Sequence, residues 1–230
     1  QAAGHDAMYA GWEKDPAQCF AALRDVLTQQ QLTGTFQCTA RGIARLHGPD
    51  LRSLRLRDWQ AAHEALGEAY GDIFAWYQDA MATMRFIGLI RPMQPECYFS
   101  DFTSTAAQAE TAFTQTVLRV DPLLHMWKET EPRREALAAH LKIDPVDAAS
   151  WRSFITALFD RAAAHGARGT KQLQAYARDL DFQPRPDTEV VWRGALSPDE
   201  TRVFQDWVMN ECMAQAAARG WVHQVHVGTH

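Results

Sequence analysis

The closing stretch Trp221-Val222-His223-Gln224-Val225-His226-Val227-Gly228-Thr229-His230 carries three histidines within eight residues. A neutral imidazole binds divalent metals and moves protons near neutral pH, so this composition points to metal or acid–base chemistry. Read as a strand, it turns Trp221, His223, Val225 and Val227 one way and Val222, Gln224 and His226 the other. The first set suits packing against helices. The second puts an amide and an imidazole on the opposite face, near the strand's carboxyl end, where parallel α/β folds build their sites. His226 is therefore the best single candidate, to bind a divalent metal or to move a proton, with Gln224 beside it as a candidate substrate contact. The competing reading makes His226 a hydrogen-bonded core histidine, His223 part of a surface layer and His230 a frayed end.

A second group of candidates lies upstream. In Thr116-Val117-Leu118-Arg119-Val120-Asp121 the same alternation sets Leu118 and Val120 against Val117, Arg119 and Asp121. Arg119 can clamp a substrate carboxylate with its planar fork, or it can satisfy itself against Asp121. Gly169-Thr170-Lys171-Gln172-Leu173-Gln174 is polar on both faces, so its pattern leaves the direction of Lys171 open. Turned inward, Lys171 is a cation or an acid–base group; turned outward, it snorkels to the surface. Tyr176 and Arg178 follow in a loop past the carboxyl end of that strand, where substrate contacts usually sit. His5, His47, His63, His125, His140 and His165 are scattered and read as surface or capping residues.

These residues need elements to hold them. Three helix starts place a short acceptor before proline, with an acid or amide two residues later: Asp15-Pro16-Ala17-Gln18, Asp144-Pro145-Val146-Asp147 and Ser197-Pro198-Asp199-Glu200. After the second start, Trp151, Phe154, Ile155, Leu158 and Ala162 recur at helical spacing, with Gly166 as the stop. After the third, Phe204, Trp207, Val208, Cys212 and Ala216 do the same up to Gly220. A long helical pattern runs from Asp58 to Met84, and Gly34-Thr35-Phe36-Gln37-Cys38-Thr39 reads equally as a short strand or a loop. From Met84 onward short apolar runs alternate with helices, the pattern of parallel strands joined by crossovers. Four strands are expected, at residues 85–90, 116–121, 169–174 and 221–227. Residues 1–83 then form a mostly helical insertion or subdomain, and residues 84–230 an α/β portion. Four parallel strands are either an open doubly wound sheet or half of a (β/α)8 barrel, and in the second case sequence is missing at both ends.

Composition narrows the function further. A formal net charge of −5 gives a polyanion no basic face, which disfavours nucleic acid as the partner. The nearest basic run, Arg52, Arg55 and Arg57, is broken by leucines and followed by Asp58, as on a solvated helix face. Cys19, Cys38, Cys97 and Cys212 have no zinc or redox spacing and read as reduced thiols. No apolar run approaches the roughly 20 residues of a membrane span. The expectation is a cytoplasmic enzyme with a small-molecule substrate, without a nucleic-acid or membrane partner, and with a homo-oligomer as an open option.

As a set, these segments resemble the amidohydrolase superfamily, in the branch that includes uronate isomerase. Gln224-Val225-His226-Val227-Gly228 is similar to that family's Gln-x-His-x-Gly strand, and Val117-Leu118-Arg119-Val120-Asp121 to its Arg-x-Asp strand. The run from Gly169 to Phe182 looks like its lysine strand followed by an Ala-Tyr-Arg-x-x-Leu-Asp stretch. The resemblance implies a distorted (β/α)8 barrel holding one or two divalent metals, usually zinc, and a hydrolase or isomerase acting on a small carboxylate, sugar-acid or lactone. It casts His226 as the fifth-strand histidine, a metal ligand or a near neighbour of the metal, and Lys171 as the fourth-strand lysine. Arg119 and Tyr176 become substrate-side contacts. The family's His-x-His of the first strand and the aspartate of its final strand have no counterpart here. A catalytically silent α/β module that keeps the fold for binding or assembly is the alternative.

Overall fold

The computed structural model describes residues 15–100, 113–128 and 131–228. The chain divides into two compact units between Phe86 and Ile87.

The first unit is helical: α1 (Pro16–Gln30), α2 (Gly34–His47), α3 (Leu56–Ala69) and α4 (Ile73–Met84). Asp15 caps α1 by accepting from the Gln18 amide. The Gly34–Thr39 segment opens α2 and is neither strand nor loop. Thr33 supplies the reason, because its hydroxyl accepts from the Phe36 amide and satisfies one of the orphan donors of a helix start. The pattern from Asp58 to Met84 resolves into α3 and α4, separated by a turn in which Asp72 caps the second helix. Ala40, Leu51 and Ala62 form a small core, with Phe36, Ile43 and Trp59 against it.

The second unit is α/β. Its strands are β1 (Leu89–Met93), β2 (Thr114–Arg119), β3 (Gly169–Gln172) and β4 (Val222–Val225), and its helices α5 (Cys97–Ser100), α6 (Pro132–Leu141), α7 (Ala148–Ala164) and α8 (Pro198–Ala218). All four strands are parallel, in the spatial order β1-β2-β3-β4. The order never reverses, so the described strands lack the switch point of a doubly wound sheet. Crossovers of one hand that always step the same way carry their helices to a single face.

Several expected boundaries move: the second strand runs Thr114–Arg119 rather than 116–121, the third ends at Gln172 rather than 174, and the fourth spans Val222–Val225 rather than 221–227. The first strand begins at Leu89 rather than Arg85, because α4 continues to Met84 and Arg85 closes it in the left-handed conformation, φ 59°. Helix α7 begins at Ala148, not behind Asp144-Pro145. Asp147 and Ser150 exchange cap bonds in a reciprocal box, and that arrangement outcompetes the proline signal three residues earlier. Helix α8 starts as expected, with Ser197 and Glu200 forming the same box. Gly166 and Gly220 follow the ends of α7 and α8 at φ 82° and 62°, a region open to glycine at little steric cost.

The helical stripes are buried as their spacing predicts. Trp151, Phe154, Ile155, Leu158 and Ala162 of α7 meet Phe204, Trp207, Val208, Cys212 and Ala216 of α8 in one core, with Met93 and Leu118 from the sheet and Val120 just past β2. Trp151 sets its ring edge-on to Phe154 and Phe204. Among the described residues no helix is long and apolar enough to cross a membrane, and none of the four cysteines is in a disulfide. His5, Thr229 and His230 lie outside the described residues.

Candidate functional site

Strand register decides which side chains share a face. Leu118, Thr170 and His223 are paired in register, and Met93 pairs with Leu118, so these four point into the helical core. The opposite face carries two successive rows. Pro92, Val117, Gly169 and Val222 form an apolar row, and Arg119, Lys171 and Gln224 form a polar row nearer the carboxyl edge. At the edge strands this face is open, Ile90 being 59% and Val222 69% exposed. The direction of Lys171, which the sequence pattern leaves open, is thus fixed by pairing: it stands between Arg119 and Gln224.

Gly169 belongs to this geometry. A Cβ built there would sit 2.6 Å from the Val222 carbonyl oxygen and 3.2 Å from Val117 Cγ1. Only glycine lets β3 and β4 approach so closely, two pairs before Lys171 and Gln224.

Past the strand ends, His226 continues the polar face. Its amide donates to the Gln172 carbonyl at 3.2 Å, which holds it in line with β4. Its Nε2 lies 2.7 Å from the Tyr176 hydroxyl, and the two rings stack with centroids 4.8 Å apart. Tyr176, 64% exposed, reaches His226 from the turn that follows β3. Two candidates fifty residues apart are therefore one unit.

Arg119 is engaged. Its Nε and Nη2 donate to the Asp121 carboxylate at 3.2 and 2.5 Å, the internal pair that its sequence setting allows. Nη1 makes no hydrogen bond with any described residue. Lys171 has no hydrogen-bond or ion-pair partner among the described residues and is half-buried, which leaves it the cation of this face without a counter-ion. Gln224 is its neighbour in register.

Arg178 is drawn elsewhere. Its side chain, 8% exposed, donates to Asp206 at 2.8 Å, to Gln205 and to the Asp181 carbonyl, and lies over the Phe182 ring. Asp206 on α8 is fully buried and also accepts from Arg185 at 3.0 Å. Arg178 therefore anchors the segment between β3 and α8, and its donors point away from the polar row.

His125, a surface or capping residue by its sequence setting, does more in the fold. It closes the turn Asp121–His125 after β2, and its Nε2 lies 3.3 Å from the Gln174 side-chain nitrogen. Burial, then the Lys128 charge, hold its pKa below the usual histidine value. Nothing local in the sequence marks it, because its partner is 49 residues away. His47 stacks on Trp76 and His140 on Phe99, in keeping with packing roles.

His223 faces the core side, with Nδ1 2.8 Å from the Thr170 hydroxyl, and burial followed by the Lys171 charge pushes its pKa down. Both His125 and His223 thus take up a proton less readily in the folded chain than at the ordinary value of 6.5. Above that value both states are neutral and nothing is lost. As pH falls below it, the unfolded chain binds protons first, so stability drops. Thermal unfolding followed between about pH 7.5 and about pH 5.5 is expected to show Tm falling with acid, and His223→Asn should reduce that fall. A Tm independent of pH across this window would contradict the burial of both rings.

The zinc site implied by the resemblance is not met by these donors. Among the described residues no three His, Cys, Asp or Glu side chains come together. A catalytic zinc takes three protein ligands, whereas here one imidazole shares its face with two cations. No protein-family model, no curated protein and no solved structure matches this chain.

Proposed function

We propose that the chain binds a small carboxylate-bearing molecule, of the sugar-acid or lactone class, on the open face of its sheet. The observation that carries this is the in-register row Arg119, Lys171 and Gln224, whose central cation has no anionic partner among the described residues. Lys171 takes the carboxylate, Arg119 adds its remaining Nη1, and the Gln224 amide meets a hydroxyl or carbonyl. His226 and Tyr176, a base and a hydroxyl within hydrogen-bond distance, stand at the edge of the row to move a proton in hydrolysis or isomerisation. The single-direction strand order with helices on one face supports a further proposal, that this sheet is part of a (β/α)8 barrel wall of the amidohydrolase kind in a cytoplasmic enzyme.

Calorimetric titration with D-glucuronate tests the binding. The Lys171→Met variant is expected to bind at least about tenfold more weakly, the scale of one hydrogen bond to a charged group. Circular dichroism should show its fold unchanged. Equal affinity in wild type and variant, or no binding by wild type, would defeat the reading.

A second reading has its own support. Arg119 is neutralised by Asp121 and Arg178 is turned into the structure, as suits a silent module that keeps the fold and binds without chemistry. It requires that His226→Ala leave glucuronate affinity unchanged and that wild type turn over no sugar acid.

A further inference from the structure

Gln174 joins the ends of two strands. It is 2% exposed and opens the turn after β3, where its backbone amide donates to Gln172 Oε1 at 2.6 Å. Its side-chain nitrogen lies 3.4 Å from the Asp121 carbonyl oxygen and 3.3 Å from His125 Nε2, while its own Oε1 is buried without a donor among the described residues. The two hydrogens of one –NH2 group can serve both acceptors only while His125 is neutral, with its proton on Nδ1.

Protonating His125 places an N–H on Nε2, directly against the Gln174 –NH2. Two donors then face each other. The nearest relief is a half-turn of the amide, which brings Oε1 to the imidazolium and gives a previously unpartnered atom its hydrogen bond. That turn also sets Oε1 against the Asp121 carbonyl oxygen, so Asp121 loses a donor and meets a repulsive neighbour. The Asp121 carboxylate is the group that occupies Arg119.

We propose that His125 and Gln174 form a pH-driven amide switch that displaces Asp121 and so frees the Arg119 guanidinium for an anionic ligand. The effect on a ligand rests on the function proposed above; the switch itself does not. Among the described residues, the charges acting on His125 are Lys128, which opposes protonation, and Asp121 and Glu131, which favour it. None of them is on α8, which packs against the same turn. Burial outweighs the two acids, so the switch throws below the ordinary histidine value.

Nuclear magnetic resonance reads each part separately. Between about pH 8 and about pH 5.5, the His125 ring, the Gln174 side-chain amide and the Arg119 Nε–H should titrate with one shared midpoint. In Gln174→Leu, His125 should still titrate while the Arg119 signal stays flat. His125→Asn, which keeps the amide but has no titrating ring, should also leave Arg119 flat, and it serves if the leucine variant does not fold. An Arg119 signal that is flat in wild type, or that keeps its midpoint in either variant, overturns the switch. Glucuronate affinity should rise several-fold on acidification in wild type and stay constant in both variants. Absence of glucuronate binding at every pH counts against the proposed ligand alone, since the resonances decide the switch without it.

Discussion

Asp206→Asn is expected to destabilise the protein by about 3 kcal/mol, within the range seen when one partner of a buried ion pair is removed. The carboxylate is fully buried on α8 and holds two guanidiniums, Arg178 at 2.8 Å and Arg185 at 3.0 Å. Asparagine retains one acceptor of similar shape but no charge. Arg178, 8% exposed, would then keep its charge inside with neutral acceptors at hydrogen-bond distance and its nearest carboxylate, that of Asp179, 3.7 Å away. Arg185 is more open, its side chain 26% exposed, so Arg178 bears most of the loss. Urea unfolding of wild type and variant at neutral pH measures the difference. A loss below about 1 kcal/mol would mean that the neutral acceptors suffice and that Asp206 is not what pins the segment. That segment also carries Tyr176, so the 2.7 Å contact with His226 should loosen in the same variant.

Gly169→Ala is the second large effect, and its sign is informative. Where the backbone tolerates both residues, alanine for glycine usually stabilises by about 0.4–1 kcal/mol through the unfolded chain. Here the added methyl would stand 2.6 Å from a backbone carbonyl of β4, which cannot swing aside as a flexible side chain can. The expected result is a net loss of about 2 kcal/mol, the scale of overpacking. Forcing β4 outward at Val222 also displaces Gln224 from Lys171, so glucuronate affinity should fall together with stability. Urea unfolding and calorimetry on the one variant give both numbers. A variant as stable as wild type would show that β3 and β4 are not in the close register described.

Features that depend on neighbours along the chain are legible from residue order alone. Asp15-Pro16 and Ser197-Pro198 start helices because a cap acceptor and a proline at the first helical position act within one turn. The stripes of α7 and α8 stand out because burial at one face repeats every three to four residues. The alternation of β2 and β4 places Arg119 with Val117, and His226 with Gln224, before any partner strand is known. Where two local signals compete, the chain does not announce the winner, as at Asp144-Pro145 against the Asp147–Ser150 box.

Contacts between distant segments govern everything else, and these exist only once the chain is folded. Lys171 has polar residues on both sides, so no amphipathic pattern can orient it; pairing with Arg119 and Gln224 does. Tyr176 and His226, Gln174 and His125, and Arg178 and Asp206 are 50, 49 and 28 residues apart. A hydrogen bond between such groups leaves no periodicity in the chain. Arg178 shows the consequence: beside a strand end it has the profile of a substrate contact, yet a buried carboxylate on α8 binds it, since an unpaired acid at that depth would be far more costly than a loop drawn inward to meet it.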